Sequence, residues 1–382
     1  MHRFNVGVIG LGFIGNAHVE ALRRLGNVNV IAVADSMDWK RKGDAICVPH
    51  SYENYKELID NEELDAVHIC TPNSTHFEIA MYAMQKGIAV MLEKPFTVSV
   101  DEARALCEYA SNHKIIGAVN HSLRMNPMVM EMKGLAKNGS LGRRIFAIHG
   151  SYLQDWLLFD TDWSWRLDSK MSGKTRAFSD IGTHWIDMVE NITGLKAVEV
   201  LAEFDTVYKQ RKRPLGEVQT FSSSSGMKYK DFDVDTEDWC SVLFRFNNGA
   251  IGSANISQVT AGRKNQQVIA ISGSDASLYW ENERSNELWI GHRNEFNQVV
   301  VKDPSLVEPL ARKVISYPGG HVEGFPDTLK QQFKLFYEAL EKKSTERAEF
   351  ALFKDGLREM IITDCVYRSA MERRWIEIKE DL

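Results

Sequence analysis

The sequence predicts an α/β domain with a doubly wound parallel sheet, followed by an α+β domain with an open, mostly antiparallel sheet. A chain of 382 residues exceeds one ordinary hydrophobic core. Over residues 4–120, short apolar runs alternate with helical segments, which is typical of a parallel sheet covered on both faces. From about residue 145, strand-like segments follow one another directly, as in antiparallel sheets. We therefore predict domains at 1–122 and 123–382, with the last helix able to pack back on the first domain.

The first domain begins with an apolar strand and continues in strand–helix alternation. Its predicted strands are FNVGVIG, VNVIAVAD, LDAVHICT, IAVMLE and KIIGAVN. Apolar residues near helical spacing over 15–25 predict a helix after the first strand. HFEIAMYAMQKG and VDEARALCEYASNH predict two further helices, the first of which ends at Gly87 in a C-cap role.

The second domain is predicted from a series of strands. They are RIFAIHGSYLQ, AVEVLAEF, DWCSVLFRF, GAIGSANISQV, NQQVIAISGS, ASLYWEN and ELWIGH. The dipeptide Asn248-Gly249 between two of them is a strong hairpin signal. Helices are predicted near 178–193, 326–342 and 348–371. The polar residues 207–237, which include the run SSSS, predict a long excursion before the sheet resumes.

Composition and charge exclude several classes of protein. The net charge is −6 with acids and bases interspersed, so there is no basic footprint for nucleic acid or for a membrane surface. No apolar run approaches the roughly 20 residues that span a bilayer, and the N-terminus enters the first strand without a cleavage site. The five scattered cysteines form no CxxC, which suits reduced thiols in the cytoplasm. The histidines lack zinc-ligand spacing, so we expect no metal.

A glycine-rich motif follows the first strand: residues 10–15 read GLGFIG, a GxGxxG pattern. The motif alone is weak, and the alternative is a glycine-rich turn that binds no nucleotide. Here, however, it follows a strand, opens a helix and precedes an acid at the end of the second strand, which is the context of a dinucleotide-binding Rossmann domain. The helix N-terminus then favours the pyrophosphate. The predicted cofactor contacts are Gly10, Gly12, Phe13, Ile14, Gly15 and Asp35.

The choice of cofactor depends on Asp35. Its carboxylate can accept hydrogen bonds from both ribose hydroxyls of NAD and would repel a 2′-phosphate. Lys40, Arg41 and Lys42 follow soon after and could serve a 2′-phosphate, or could form a solvated helix face. We predict NAD as the cofactor, with NADP possible.

Several motifs together carry a resemblance to a known family. They are GLGFIG at 10–15, CTPNSTH at 70–76, MLEKPF at 91–96, VNHSLRMNP at 119–127, SDIGTHWIDM at 179–188, TEDWC…RFNNGAIGS at 236–253 and FKDGLREMIITDCVYRSA at 353–370. In this order and spacing, the sequence resembles the glucose–fructose oxidoreductase / inositol dehydrogenase (Gfo/Idh/MocA) family nearly end to end. Each motif is modest alone, whereas the set is highly specific.

The resemblance implies roles for residues that match the family motifs. It implies a catalytic site completed by Lys94, Asp180 and His184. It also implies an acid near the nicotinamide ribose at Glu93 and a cis peptide bond between Lys94 and Pro95. Further cofactor contacts implied by the match are Thr71, Pro72, Asn73, His76, Glu93, Lys94 and Asn120.

The chemistry of alcohol oxidation suits these residue types. A hydride leaves carbon while a proton leaves the hydroxyl, so a base is required, and neutral histidine is well suited. We predict His184 as the base, Asp180 as the residue that orients it from one helical turn away, and Lys94 as the stabiliser of alkoxide charge. Lys94 as the base stays open, because a desolvated lysine can have a strongly lowered pKa. On this hypothesis Lys94 and His184 act in one cleft.

Residues 149–168 combine aromatic, amide, acid and guanidinium groups, which suit a polyhydroxylated ring. The alternative for each tryptophan there is a place in the core or in an interface. A sugar, an anhydrosugar or a cyclitol fits the residues and the family. The predicted substrate contacts are Lys94, Arg124, Tyr152, Gln154, Trp163, Arg166, Asp180 and His184.

Two other functions stay open at this point. One is a family-type hydrolase or lyase that oxidises its substrate transiently and retains NAD. The other is a non-enzymatic NAD-binding regulator, which the presence of all three catalytic residues disfavours. Because an apolar outer face of an open sheet seldom stays exposed, we also expect a homodimer or homotetramer built on the second domain's sheet.

Overall fold

The computed structural model describes residues 2–216 and 228–379. The described chain divides into two compact units. The first unit comprises residues up to 122 together with 170–173 and 329–360, and the second comprises 123–169, 174–328 and the residues from 361 onward. None of the helices within the described ranges is both long enough and apolar enough to cross a membrane.

Strands and helices alternate in the first part of the chain and strands dominate the second. The strands are β1 Phe4–Ile9, β2 Val28–Ala34, β3 His50–Tyr52, β4 Ala66–Ile69, β5 Ala89–Leu92, β6 Gly117–Val119, β7 Ile145–Leu153, β8 Ala197–Asp205, β9 Gln210–Pro214, β10 Tyr229–Asp233, β11 Trp239–Phe246, β12 Ile251–Ser257, β13 Gln266–Gly273, β14 Ser277–Glu281, β15 Glu287–Gly291, β16 Gln298–Val301 and β17 Ile376–Glu377. The α-helices are α1 Phe13–Arg23, α2 Trp39–Ala45, α3 Tyr55–Asn61, α4 His76–Gln85, α5 Val100–His113, α6 Pro127–Lys137, α7 Ser169–Ser172, α8 Thr183–Thr193, α9 Pro309–Arg312, α10 Phe325–Lys342 and α11 Phe353–Glu372. One π-helical turn, Phe178–Gly182, immediately precedes α8.

The first unit is built on a six-stranded parallel sheet with the order β3-β2-β1-β4-β5-β6. This is the classic doubly wound order, and it confirms the predicted Rossmann fold. Strands β4 and β5 are buried along their whole length, as the apolar run of β5 and the largely apolar β4, which contains only His68 as a polar residue, predict. Helix α10 contributes Phe333, Phe336 and Tyr337 to the core of this unit. Gly87 has a φ of +80° just beyond α4, which confirms its predicted C-cap role.

The second unit contains a nine-stranded sheet with the order β16-β15-β14-β13-β7-β12-β11-β8-β17. Every pairing is antiparallel except that of β7 with β12, so the prediction of a mostly antiparallel sheet is confirmed. Helices α6 and α8 lie against one face of this sheet. Gly249, with a φ of +83°, donates its N–H to the Phe246 carbonyl at 2.8 Å in the predicted β11–β12 hairpin.

The sequence predicts a long excursion over the polar residues 207–237 before the main sheet resumes. In this segment β9 and β10 pair as a small antiparallel sheet of their own, and the nine-stranded sheet resumes with β11. Lys212 and Asp231 form an exposed pair across these two strands. The run SSSS lies outside the described residues. The helix expected near 178–193 begins with the π turn, and the helix expected from 348 begins at Phe353.

Candidate active site

The loops that follow parallel strands emerge at one edge of the first unit's sheet, and the glycine-rich loop is one of them. Gly10 has a φ of +92°, and a Cβ there would lie 2.7 Å from the Cys70 carbonyl oxygen. A Cβ at Gly15 would lie 1.8 Å from the Gly10 carbonyl oxygen. Both positions therefore require glycine, as close packing of this turn against α1 and β4 demands.

The N-terminus of α1 fits a phosphate group. Gly12 is its N-cap and supplies no side-chain hydrogen bond, and the first turn carries no acidic residue. No atom lies within 4 Å of the position that a Cβ on Gly12 would take. Phe13, 56% exposed, and Ile14, partly buried against the core, begin the helix. With no side-chain cap and no acidic side chain in the first turn, the positive end of this helix suits an anion.

Asp35 lies directly after β2 and connects that strand to the glycine-rich loop. One of its carboxylate oxygens accepts a hydrogen bond from the Leu11 amide at 2.6 Å, and the other accepts from the Met37 amide at 2.9 Å. Lys42 Nζ lies 2.7 Å from the second oxygen. The prediction that residues 40–42 form a solvated face is therefore incomplete, since Lys42 pairs with Asp35 while the exposed Arg41 pairs with Asp38. The carboxylate fits a ribose diol at this place.

The turn after β4 is held by a buried histidine. His76 lies between two carbonyl oxygens, that of Thr71 at 2.9 Å and that of Pro95 at 3.0 Å. Burial lowers the pKa of His76, so the neutral ring donates to one of the two. Asn73 donates to the Ser172 carbonyl at 3.1 Å, and Pro72 accepts a hydrogen bond from the Thr75 hydroxyl. This fixes the predicted cofactor turn against the end of β5.

Glu93 and Asn120 follow β5 and β6 at the same edge of the sheet, and both are buried. The Asn120 amide nitrogen donates to Glu93 Oε1. Burial alone would raise the pKa of Glu93, but hydrogen bonds from His18 and Asn120 and the charge of Lys94 together lower it. Asn120 Oδ1 is buried without a hydrogen-bond partner among the described residues, so it fits a donor such as a ligand carboxamide or hydroxyl. The Lys94–Pro95 peptide bond is cis, as expected.

In the second unit, Asp180 lies in the π turn and His184 lies in the first turn of α8. The four-residue spacing therefore crosses from π to α geometry and is not one regular helical turn, a distortion that is frequent at functional sites. Asp180 Oδ1 accepts from Arg166 Nε at 3.1 Å, and Oδ2 accepts from Gln258 Nε2 at 2.8 Å. Both carboxylate oxygens are thus held in place.

Tyr152 and Gln154 are fixed by one amide. The Tyr152 hydroxyl and Gln154 Nε2 donate to Asn265 Oδ1, at 2.9 Å and 2.8 Å. The Tyr152 ring lies 6.2 Å from the ring of His184, centroid to centroid. Burial, followed by the charge of Asp180, raises the pKa of Tyr152, so its hydroxyl stays protonated and donates. Tyr152 therefore lies beside the predicted base, and Gln154 shares its amide partner.

Sequence reasoning missed Gln258 and Asn265. Gln258 directly follows β12, and Asn265 directly precedes β13. The signal that could have found Gln258 is its place in the run ISQV, directly after the last residue of the strand. Neutral amides draw less notice than titratable groups, although they orient a carboxylate and a phenol here.

Two predicted substrate contacts have other partners. Arg124 forms a buried, two-pronged pair with Asp187, in which Nε lies 2.8 Å from Oδ2. Trp163 packs edge-on against Phe232, with ring centroids 4.9 Å apart, and belongs to a small apolar cluster. The geometry favours packing for Trp163, the alternative left open by the sequence. Among residues 2–216 and 228–379, no three histidine, cysteine or carboxylate side chains gather as a metal site.

Comparison with known proteins decides the family. The family model described as "Oxidoreductase family, NAD-binding Rossmann fold" matches residues 4–121. The model of the "GFO/IDH/MocA C-terminal domain" matches residues 129–279. The chain belongs to the Gfo/Idh/MocA oxidoreductase family. The resemblance drawn from the motifs is thereby confirmed, as is NAD as the cofactor of this dehydrogenase.

Full-length relatives support the same conclusion. Levoglucosan dehydrogenase of Pseudarthrobacter phenanthrenivorans is 27% identical, over 100% of this chain and 99% of that protein. Myo-inositol 2-dehydrogenase of Thermotoga maritima is 24% identical, over 98% of each chain. The solved structure of a levoglucosan dehydrogenase with NADH and levoglucosan superposes with a TM-score of 0.88 at 26% identity, over 99% of this chain and 100% of that chain. Relatives that match nearly the whole chain thus include proteins named as dehydrogenases of levoglucosan and of myo-inositol.

Proposed function

We propose that this protein oxidises a secondary alcohol of a sugar, an anhydrosugar or a cyclitol. The observation that carries the proposal is the set of oriented polar groups around Asp180 and His184 in the second unit. Arg166 and Gln258 hold Asp180, and Asn265 holds Tyr152. Fixed donors and acceptors beside aromatic faces suit a ring with several hydroxyl groups. The names of the relatives, levoglucosan and myo-inositol dehydrogenases, support the same class.

In the proposed mechanism, the glycine-rich loop, Asp35 and Asn120 of the first unit would hold NAD, which would accept the hydride that leaves the substrate carbon. His184 takes the proton from the substrate hydroxyl, since a neutral imidazole accepts protons near neutral pH. Asp180, fixed by its two hydrogen bonds, stabilises the resulting imidazolium. Lys94 stabilises negative charge on the substrate oxygen as the proton leaves.

A screen for NAD reduction tests the proposal directly. Anhydrosugars, hexoses, inositols and sugar acids are each incubated with the enzyme and NAD⁺, and absorbance of NADH is followed. We expect steady NADH formation with at least one cyclic polyol and none with linear primary alcohols. Steady formation also separates this proposal from a transient-oxidation hydrolase or lyase, which would show no net NADH.

Replacing Asp35 by alanine is expected to weaken NAD binding by roughly tenfold and NADP binding much less. The variant loses the acceptor for the ribose hydroxyls, and it frees Lys42, now 2.7 Å from the carboxylate, to meet a 2′-phosphate. Dissociation constants for both cofactors, measured by fluorescence titration, check the prediction. Asp38→Ala is the matched control because its exposed pair with Arg41 lies outside the proposed site. A larger loss for NADP than for NAD would contradict the assignment.

We also propose that the second unit's sheet pairs with a second copy of this chain. The cross-strand register aligns an apolar row on the face opposite the buried core side chains. Val299, Trp289 and Tyr279 are 60%, 36% and 38% exposed and stand directly beside one another, and Leu243 is 41% exposed on the same face. An exposed apolar row of this kind is typical of an interface. Arg284 and Glu287 beside the row provide opposite charges that a two-fold axis can match.

The Trp289→Glu variant is expected to be a monomer where the unmodified protein is a dimer or tetramer. A charge in the middle of the row removes apolar contact and leaves a buried carboxylate in any assembly. Light scattering coupled to size-exclusion chromatography gives the mass. Leu306→Glu is the control, because Leu306 is 81% exposed but lies outside the sheet. An unmodified protein that is already monomeric at micromolar concentration would refute the proposed interface.

A further inference from the structure

A chain of buried polar side chains extends from Glu93 into the core of the first unit. His18 on α1 and His68 on β4 are 0% exposed, and Tyr337 on α10 is 1% exposed. His18 Nε2 lies 2.8 Å from Glu93 Oε1, and His18 Nδ1 lies 2.9 Å from His68 Nδ1. His68 Nε2 in turn lies 2.9 Å from the Tyr337 hydroxyl. Apolar side chains would fill this space at a lower desolvation cost. These hydrogen-bonded side chains therefore indicate a role other than packing.

The hydrogen positions in this chain follow from the chemistry of its ends. Because the pKa of Glu93 is lowered, its carboxylate is ionised and can only accept, so His18 Nε2 must donate. Burial, and then the neighbouring His18, lowers the pKa of His68 well below its ordinary value, so His68 carries one N–H. One hydrogen therefore lies between the two Nδ1 atoms, whichever ring supplies it. His68 and Tyr337 thus keep the Nε2–H of His18 directed at Glu93.

The strand order locates Glu93 relative to a bound dinucleotide. Dinucleotides lie across the carboxyl ends of such a sheet, with one half on each side of the first strand. The glycine-rich loop and Asp35 follow β1 and β2, so the nicotinamide half falls toward β4, β5 and β6, where Glu93 and Asn120 end their strands. We propose that His18, oriented by His68 and Tyr337, is a positioning residue that holds Glu93 ionised and aimed at the nicotinamide half of NAD⁺.

The titratable groups around Glu93 set its pKa, and so they determine how replacing His18 changes the pH dependence of NAD⁺ binding. They are His18 on α1, Cys70 after β4, His76 on α4 and Lys94 in its own segment. Burial raises the pKa of Glu93, and the His18 hydrogen bond is the first of the contacts that oppose it. Without that donor the pKa rises, so Glu93 binds a proton as the pH falls toward neutral. Binding of NAD⁺, whose nicotinamide ring is positively charged, then weakens at low pH, whereas in the unmodified protein Glu93 stays ionised and the dissociation constant does not change with pH.

A matched pair of variants separates positioning from packing. Glutamine at position 18 places an amide nitrogen near the place of imidazole Nε2, so His18→Gln retains the donor to Glu93. Asparagine places its amide near Nδ1, so His18→Asn retains only the contact toward His68. We expect the NAD⁺ dissociation constant of His18→Asn to rise roughly tenfold between about pH 8 and pH 6, with a change of under about threefold for His18→Gln and the unmodified protein.

The measurement is equilibrium NAD⁺ binding without substrate, so it rests on cofactor binding and stands even if the proposed substrate class is wrong. Two variants that both bind like the unmodified protein at every pH overturn the proposal. If both variants bind NAD⁺ more weakly by the same factor at every pH, the buried polar side chains serve packing alone, and the proposal is also overturned. Thermal unfolding shows whether the variants fold. If neither does, Tyr337→Phe keeps the shape and removes the outer hydroxyl, and a flat pH profile for it overturns the proposal.

Discussion

The kcat of the His184→Asn variant is expected to fall by a factor of about 10²–10⁴ on the substrate that the NAD-reduction screen identifies. Asparagine cannot accept the alcohol proton, although it keeps the place of the ring beside Tyr152. NAD binding is expected to be unchanged, because the predicted cofactor contacts all belong to the first unit and His184 belongs to the second. His113→Ala, an exposed histidine on α5, is the control and should keep full activity.

The pH dependence of the same variants distinguishes the two possible bases. Alcohol oxidation requires the base in its deprotonated form, so the rate rises with pH through the ionisation of that base. If His184 is the base, the inflection seen in the unmodified enzyme disappears in His184→Asn and persists, at lower rate, in Lys94→Met. If the inflection persists in His184→Asn and disappears in Lys94→Met, Lys94 is the base that accepts the proton. Near-normal kcat in both variants would refute the catalytic assignment.

The parts of the fold that could be predicted are those with a strong local pattern. Strand β5 is a continuous apolar run and β4 is apolar except for His68, and both strands are buried along their whole length, so sequence alone locates them. The strand β3, which reads HSY, is three residues long and lies at the sheet's edge, where no periodicity is required. The strands β9 and β10 are largely polar. Each is stabilised by pairing with the other, which is distant in sequence, so no local pattern predicts them.

The site divides in the same way. Gly10 and Asp35 are predictable because the glycine-rich turn and the acid after the second strand have a fixed spacing. The partners of Asp180, by contrast, come from separate loops, and Gln258 is a neutral amide with no titratable signature. The contact of His18 with Glu93 joins α1 to the end of β5, and only the parallel order of the strands brings them together. Long-range hydrogen bonds of this kind follow from the fold and not from the local sequence.

The Asp238→Ala variant is expected to lower the free energy of unfolding of the second unit by ~3–5 kcal/mol. Asp238 is fully buried and accepts hydrogen bonds from two guanidinium groups that are also fully buried, those of Arg176 and Arg211. Its removal leaves two buried guanidinium groups without the carboxylate that they share. Burial already lowers the pKa of Arg211, but a guanidinium does not lose its proton at any ordinary pH, so the charge stays.

The Asp238→Ala substitution should also disturb the candidate active site. A fall in kcat therefore distinguishes it from a substitution that only weakens packing. Arg176 Nη1 donates to Gln258 Oε1 at 2.7 Å, and Gln258 in turn donates to Asp180. A displaced Arg176 therefore frees the carboxylate that we place beside the base, and kcat should fall in the fraction that stays folded. Asp231→Ala is the matched control, since its pair with Lys212 is about half exposed, and it should leave the free energy of unfolding nearly unchanged and kcat unchanged. Urea unfolding followed by tryptophan fluorescence compares the two, and equal losses of stability would show that the buried carboxylate carries no special weight.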